Sequence, residues 1–131
     1  MGSRVMAIFI GILGIAVLVF GAIFIVRAGS GEQQISDEIQ PLKLAEVNAR
    51  YDAVKAKQLE MAKVEEPQIQ AGKSAPSAMY NYLSVQKSTL GVVKANITLA
   101  GAVRMLGIMS LIAGLGLLFA AAVLFRKGRA N

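Results

Sequence analysis

The sequence contains no cysteine, no histidine and no tryptophan. Without cysteine, the chain has no disulfide, no thiolate nucleophile and no thiolate metal ligand. Without histidine, it lacks the side chain used most often as a general base, as an axial haem ligand and as a transition-metal ligand. These absences argue against catalysis, and we expect a protein that is not an enzyme, with no catalytic residue, no metal and no cofactor.

Charged residues are scarce as well, at 17% of the 131 positions, whereas about a quarter is usual for a soluble domain. None lies from Val5 to Val26 or from Met105 to Phe125, and all eight acidic residues lie between Glu32 and Glu66. The low charge therefore reflects two apolar blocks. The net charge is +6, and beside apolar blocks it favours contact with anionic lipid headgroups over nucleic acid, which we do not expect as a partner.

Each apolar block is long enough to cross a membrane. At a rise of 1.5 Å per residue, residues 5–26 and 105–125 each reach about 32 Å, against a hydrocarbon core of ~30 Å. Lipid offers no hydrogen-bond partner to the backbone, so each span should be helical. A cleaved signal peptide is the alternative for the first block, but the apolar core of signal peptides is shorter. We therefore predict transmembrane helices over 5–26 and 105–125.

Basic residues near the block ends predict the orientation of the chain. Cytoplasmic flanks of transmembrane helices carry an excess of lysine and arginine, and the basic tail at 126–131 is one such flank. We predict an integral protein of a bacterial-type inner or plasma membrane, with both termini cytoplasmic and residues 27–104 outside. Arg104 should extend its side chain to the headgroups. The topology and headgroup residues are Arg4, Arg104, Arg126, Lys127 and Arg129.

The segment between the blocks divides at glycine and proline. Residues 27–41 are predicted to form a linker, because Ala28-Gly29-Ser30-Gly31 is flexible and Pro41 marks a boundary. An extramembranous helix is predicted over 42–66, with Glu65-Glu66-Pro67 as its end, followed by a turn over 67–76. The next helix, over 77–104, meets no breaker before the second span, so we predict one helix from about 77 to about 126.

Apolar residues recur at steps of three and four in both extramembranous helices, with polar Gln58 and Gln86 as interruptions. This spacing is typical of helices that pack side by side, as in a coiled coil. We predict an antiparallel helical hairpin, with an amphipathic pair lying along the membrane surface as the alternative. A lone hairpin buries little core, which favours an oligomer or a larger complex. The predicted seam residues are Leu44, Val47, Tyr51, Val54, Met61, Met79, Leu83, Leu90, Val93 and Ile97.

Small residues recur every seven positions within both apolar blocks. Lipid gives helices no hydrophobic reason to associate, and small residues allow the close contact that holds them together. A seven-residue period suits a left-handed crossing, although glycine and alanine are common in membrane helices anyway. We expect these residues to pack the spans on each other or on helices of a partner. The predicted packing residues are Ala7, Gly11, Gly14, Gly21, Gly107, Ser110, Gly114 and Ala121.

These features predict an all-α membrane protein that acts through the packing surfaces of its helices. The leading hypothesis is a small accessory or scaffold subunit of a membrane complex. Its partners would be the lipid bilayer and other membrane subunits or copies of itself, and no small-molecule substrate is expected. One alternative is a homo-oligomeric pore or holin-like protein. A second is a membrane-anchored sensing module that works with a separate partner; in topology alone, the chain resembles the sensing modules of bacterial receptors.

Overall fold

The structure, a computed structural model, describes the backbone of residues 2–130 and the side chains of residues 4–128. Over this range the chain is all-helical and contains no strand, so the predicted all-α class is confirmed. Helix α1 covers Gly2–Glu38, a short 3₁₀ helix covers Leu44–Glu46, α2 covers Val47–Gln70 and α3 covers Ala78–Ala130. Helices α1 and α3 are long and apolar enough to cross a membrane, with mean hydropathies of 3.0 and 2.5 in their most apolar stretches.

The chain divides into two compact units. Among the described residues, the terminal unit contains residues 2–32 and 99–130, and the central unit contains Gln33–Thr98. Most of α1 and the second half of α3 therefore belong to the terminal unit. The central unit holds α2 together with the first part of α3.

Helix α1 continues through most of the segment predicted as a linker over 27–41. Ala28 is only 3% exposed, and the hydroxyl of Ser30 donates a hydrogen bond to the carbonyl oxygen of Val26 at 3.1 Å. A glycine inside a helix costs about 1 kcal/mol relative to alanine, and packing of this turn in the terminal unit outweighs that cost. The helix instead ends at Glu38, shortly before Pro41.

Helix α2 begins at Val47, after the 3₁₀ turn, and thus later than residue 42. It also runs past Pro67, where the sequence predicted an end, and stops at Gln70. A proline lacks the N–H that a helix uses, so Pro67 removes one backbone hydrogen bond of α2. The helix nonetheless continues for about one more turn, to Gln70.

Gly72 ends α2. Its φ of +67° lies in the left-handed region that glycine adopts without steric cost. Its N–H donates to the carbonyl of Ile69 at 3.0 Å, and the N–H of Lys73 donates to the carbonyl of Gln68 at 2.9 Å. This pair of bonds is the Schellman motif, which satisfies the free carbonyls at a helix end.

Helix α3 has 53 residues, or about 80 Å at 1.5 Å per residue. The hydroxyl oxygen of Ser77 accepts a hydrogen bond from the Tyr80 N–H at 3.0 Å, which caps the first turn. The helix predicted from about 77 to about 126 matches α3, which begins at Ala78 and continues past the predicted end to Ala130. Because α3 is far longer than the ~30 Å hydrocarbon core, one helix supplies both an apolar stretch and a flanking polar one.

Candidate functional site

Two rows of small residues meet in the terminal unit. Every member is buried, and within a row the members are seven residues apart, so that each row stays on one helix face. Six of these residues belong to the predicted packing set, and Ala28 and Ala100 extend the rows by one period each. The row on α1 is Ala7, Gly14, Gly21 and Ala28, and the row on α3 is Ala100, Gly107, Gly114 and Ala121.

The two helices approach most closely where glycine faces glycine. A methyl group built on Gly107 would lie 2.8 Å from the carbonyl oxygen of Gly21 and 2.8 Å from Cγ1 of Ile25. On Gly114 it would lie 2.7 Å from Cγ of Leu18. These distances are too short for any Cβ, so the contact depends on glycine at these positions. Such contact supplies the dispersion energy that associates helices in lipid.

The tight contact is local. At Gly11 a methyl group would reach ordinary contact with Cβ of Ala121, at 3.7 Å, and Ser110 is half-buried. A methyl group on Gly116 or Gly101 would meet no described atom within 4 Å. The six buried members of the predicted packing set and Gly11 thus lie at the contact, Ser110 is placed only as half-buried, and Gly116, on the same helix, faces away.

Polar contacts lie at both ends of the terminal unit. Arg4 donates from Nε to the carbonyl oxygen of Gly128 at 3.0 Å. At the other end, Arg104 forms an ion pair with Glu32 at 3.6 Å. Both partners retain exposure, so the pair contributes about 0–1 kcal/mol.

The basic residues predicted to contact headgroups lie on the surface. Arg4, Arg126 and Lys127 are exposed, and the Arg104 side chain is 58% exposed. The side chain of Arg129 lies outside the described residues.

Large apolar side chains of the terminal unit point outward. Phe9 is 74% exposed and Phe119 is 73% exposed, and bulky aliphatic residues cover much of the remaining surface. The small residues inside and the large ones outside reverse the order found in a soluble core. Apolar surface of this extent is rare on soluble monomers and marks contact with lipid or with other proteins.

In the central unit, the predicted seam residues differ in burial. Val47, Val54 and Leu83 are buried, whereas Met79 is 55% exposed and does not lie in the interior. Two residues outside the predicted seam are buried as well, Gln58 and Ala62. The remaining six predicted seam residues are half-buried, namely Leu44, Tyr51, Met61, Leu90, Val93 and Ile97.

Polar side chains connect α2 and α3 beside this seam. Lys87 donates from Nζ to Oε1 of Gln58 at 3.1 Å, so the buried amide keeps a partner. The ammonium of Lys94 lies 5.0 Å from the centre of the Tyr51 ring, within the range of a cation–π interaction. Both lysines of the first part of α3 are therefore directed at α2.

A third polar contact lies where α2 ends and α3 begins. Glu65 accepts two hydrogen bonds from Ser77, from its N–H at 2.9 Å and from its hydroxyl at 2.7 Å. Because both bonds favour the carboxylate, they hold the pKa of Glu65 below its usual range. Tyr80 donates from its hydroxyl to Glu66 at 2.9 Å, and this bond to the neutral phenol raises the pKa of Tyr80.

A groove of about 710 Å³ lies on the central unit. Its floor and walls are mostly apolar, with Arg50, Lys57, Glu60 and Glu65 as charged members. A neighbouring groove shares Arg50 and Gln86. The apolar lining includes Val54, Met61, Val64, Met79, Tyr82 and Leu83. Such a surface suits a docking helix or an apolar ligand.

No protein-family model, curated protein or solved structure matches this chain. The functional argument therefore rests on the geometry of the two units. Sequence reasoning assigned Ala28 to the linker and did not count Ala100 among the packing residues. Heptad counting continued past the ends of the apolar blocks finds both. It noted Gln58 as a polar break in the seam, but not its bond to Lys87.

Proposed function

We propose that the chain is a small, non-catalytic accessory or scaffold subunit of a membrane protein complex. Helices α1 and α3 would anchor it in the bilayer, and the central unit would make its contacts outside. The observation that carries this proposal is the pairing of the two small-residue rows. This pairing buries the small-residue rows of α1 and α3 against each other within the terminal unit. A partner would therefore bind a different surface of the chain.

The surface of the terminal unit supports an integral membrane location. Side chains such as Phe9, Ile12 and Phe119 are exposed. In water, each would leave apolar area in contact with solvent, at a free-energy cost of roughly 25 cal/mol per Å² relative to burial. The hydrocarbon core of a bilayer removes that cost. The length of both helices and the apolar blocks at 5–26 and 105–125 support two full crossings.

For the central unit we propose an antiparallel helical hairpin. Its support is the order of the contacts along the two helices. Glu65 contacts Ser77, Gln58 contacts Lys87, and the Tyr51 ring would contact a methyl group on Gly91 at 3.5 Å. Earlier residues of α2 thus pair with later residues of α3.

We further propose that both termini lie in the cytoplasm and residues 27–104 outside. Arg4 contacts the backbone of Gly128, which is consistent with both chain ends lying on one side of a bilayer. The exposed Arg126 and Lys127 beside them agree with the excess of basic residues on cytoplasmic flanks.

The test is recovery of partners from native membranes. The tagged chain would be crosslinked in the membrane with a lysine-reactive reagent, purified in mild detergent and analysed by mass spectrometry. We expect crosslinks at central-unit lysines such as Lys55 and Lys63, joined to other membrane proteins or to a second copy. A monomer that yields neither under these conditions would refute the accessory role.

The groove of the central unit supports a second candidate function, a sensing module that works with a separate partner. Its volume is that of a small-molecule site, and its lining combines apolar and charged groups. Thermal-shift measurements of the detergent-purified protein against apolar acids and amphipathic peptides would test it. The Met79→Glu variant should abolish any shift caused by binding in the groove, whereas Lys55→Glu, outside it, should not.

A further inference from the structure

One face of α3 in the central unit is exposed and apolar at its centre. Val85 is 65% exposed and Val92 is 61% exposed, and these two residues are seven apart. Tyr82, Thr89 and Asn96 flank them, and all three are exposed. Together these five residues follow steps of three and four along α3, the spacing of helices that pair along their length. We refer to them as the α3 face.

The α3 face carries no charge. From Ala78 to Val103 the only charged residues are Lys87 and Lys94, and these contact Gln58 and Tyr51 of α2. The exposed side of α2, in contrast, carries charges such as Asp52, Lys55 and Lys63. A helix face that meets only water is usually polar and charged. The α3 face therefore has the character of a binding surface.

We propose that the α3 face binds the α3 face of a second copy, in parallel and in register. This inference rests on the proposed membrane anchoring, because copies inserted in one membrane share one orientation. Their α3 helices then run parallel and are related by a two-fold axis, so that each residue of the face meets its own counterpart.

The side chains of the α3 face suit such self-pairing. The Asn96 amide holds both a donor and an acceptor, so it can bond to its own copy, whereas the Thr89 hydroxyl already donates to the carbonyl oxygen of Val85 at 3.0 Å. A single polar residue at such a position fixes the register of parallel helix pairs. Val85 and Val92 would meet valine, and no like charges would oppose each other across the contact.

The composition of the face favours this occupant over a membrane surface. Helices that lie on a bilayer place lysine and arginine beside their apolar face to reach the headgroups. The only two lysines of this part of α3 are engaged with α2. Pairing with a second copy needs no such residues.

Disulfide crosslinking tests the pairing directly, because the chain has no cysteine of its own. Val85→Cys and Val92→Cys variants would be oxidised in native membranes. We expect both to form disulfide-linked dimers, because parallel in-register helices bring each cysteine next to its copy. The matched control is Lys55→Cys, exposed on α2, which should stay monomeric. Equal crosslinking of all three variants, or none at the valines, would overturn the proposal.

A second measurement separates loss of pairing from loss of fold. Val92→Glu would place two carboxylates against each other, so we expect loss of the dimer by native mass spectrometry in detergent, with an unchanged helical circular dichroism spectrum. Lys55→Glu should keep the dimer. A Val92→Glu protein that remains dimeric would refute the inference. If the wild-type protein forms no dimer but still recovers partner proteins, this pairing is refuted while the accessory role stands.

Discussion

At Gly107 the limiting neighbour is a carbonyl oxygen, which cannot rotate away as a side chain can. The 2.8 Å from a built methyl group to the oxygen of Gly21 would have to be relieved by moving a whole helix. At Gly114 the nearest neighbour is the side chain of Leu18, at 2.7 Å, which has other rotamers, and the carbonyl oxygen of Gly14 lies farther away, at 3.0 Å. Glycine is therefore more stringently required at 107 than at 114.

We predict that Gly107→Ala destabilises the protein by about 1–3 kcal/mol, the usual cost of overpacking. Gly116→Ala is the matched control, since the added methyl group meets no described atom within 4 Å. Alanine is the better helix former by up to about 1 kcal/mol, so this variant should be neutral or more stable. Thermal unfolding in detergent would measure both. Equal destabilisation by the two substitutions would contradict the close contact.

The bonds from Ser77 to Glu65 make stability depend on pH. Because the pKa of Glu65 is lowered by folding, its contribution is complete above the usual carboxylate pKa and is lost as the pH falls through the folded value. We predict that Ser77→Ala lowers the unfolding temperature most at neutral pH, and that its difference from wild type narrows in acid. Ser74→Ala, exposed in the same connection, is the control. A difference that stays constant with pH would argue against the contact with Glu65.

At the scale of the elements, the hydrogen bond between Gln58 and Lys87 joins α2 to α3. Gln58 is 7% exposed, and a buried amide that loses its partner costs about 1–3 kcal/mol. We predict that Lys87→Met destabilises the central unit by that amount. The double variant Gln58→Leu, Lys87→Met should recover most of the loss, because replacing both partners by apolar groups is nearly neutral. A double-mutant cycle by thermal unfolding measures the coupling, and simple additivity would contradict it.

The existence of the helices could be read from the sequence, but not all of their ends. The apolar blocks and the absence of a breaker before the second span indicated the long course of α3. The ends of α1 and α2 differ from the prediction, because they depend on tertiary packing and on backbone conformation at glycine. Packing of Ala28 in the terminal unit carries α1 through the glycines at 29 and 31, which local propensity assigns to a linker. The positive φ of Gly72 ends α2, whereas Pro67 is tolerated in the last turn.

The packing faces were predicted from the premise that lipid removes most other ways for helices to associate. Heptad counting found the glycines at 14, 21, 107 and 114 from their spacing alone. Burial at Gln58 and exposure at Met79 could not be found in this way, because they depend on how α2 and α3 are rotated about their axes. Apolar residues at steps of three and four predict the buried side of a helix only to within about one residue, so they do not fix the rotation of the helix about its axis.

At the scale of the whole molecule, the orientation in the membrane can be tested with single cysteines. We predict that Ser74→Cys reacts with a membrane-impermeant maleimide in intact cells, and that Lys127→Cys reacts only after permeabilisation. The reason is the basic residues beside the chain ends, which favour the cytoplasm. The cysteine-free wild type is the labelling control. The opposite pattern of reactivity would invert the proposed topology.

The contact of Gly21 with Gly107 also bears on permeability. The carbonyl oxygen of Gly21 lies so close to Gly107 that the two backbones touch, and a hydrated ion, which is wider than a methyl group, has no room to pass between the two helices at this level. A single copy should therefore leave a vesicle sealed. Any leak through an assembly of this protein would have to run between copies, along surfaces lined by side chains such as Phe9 and Phe119.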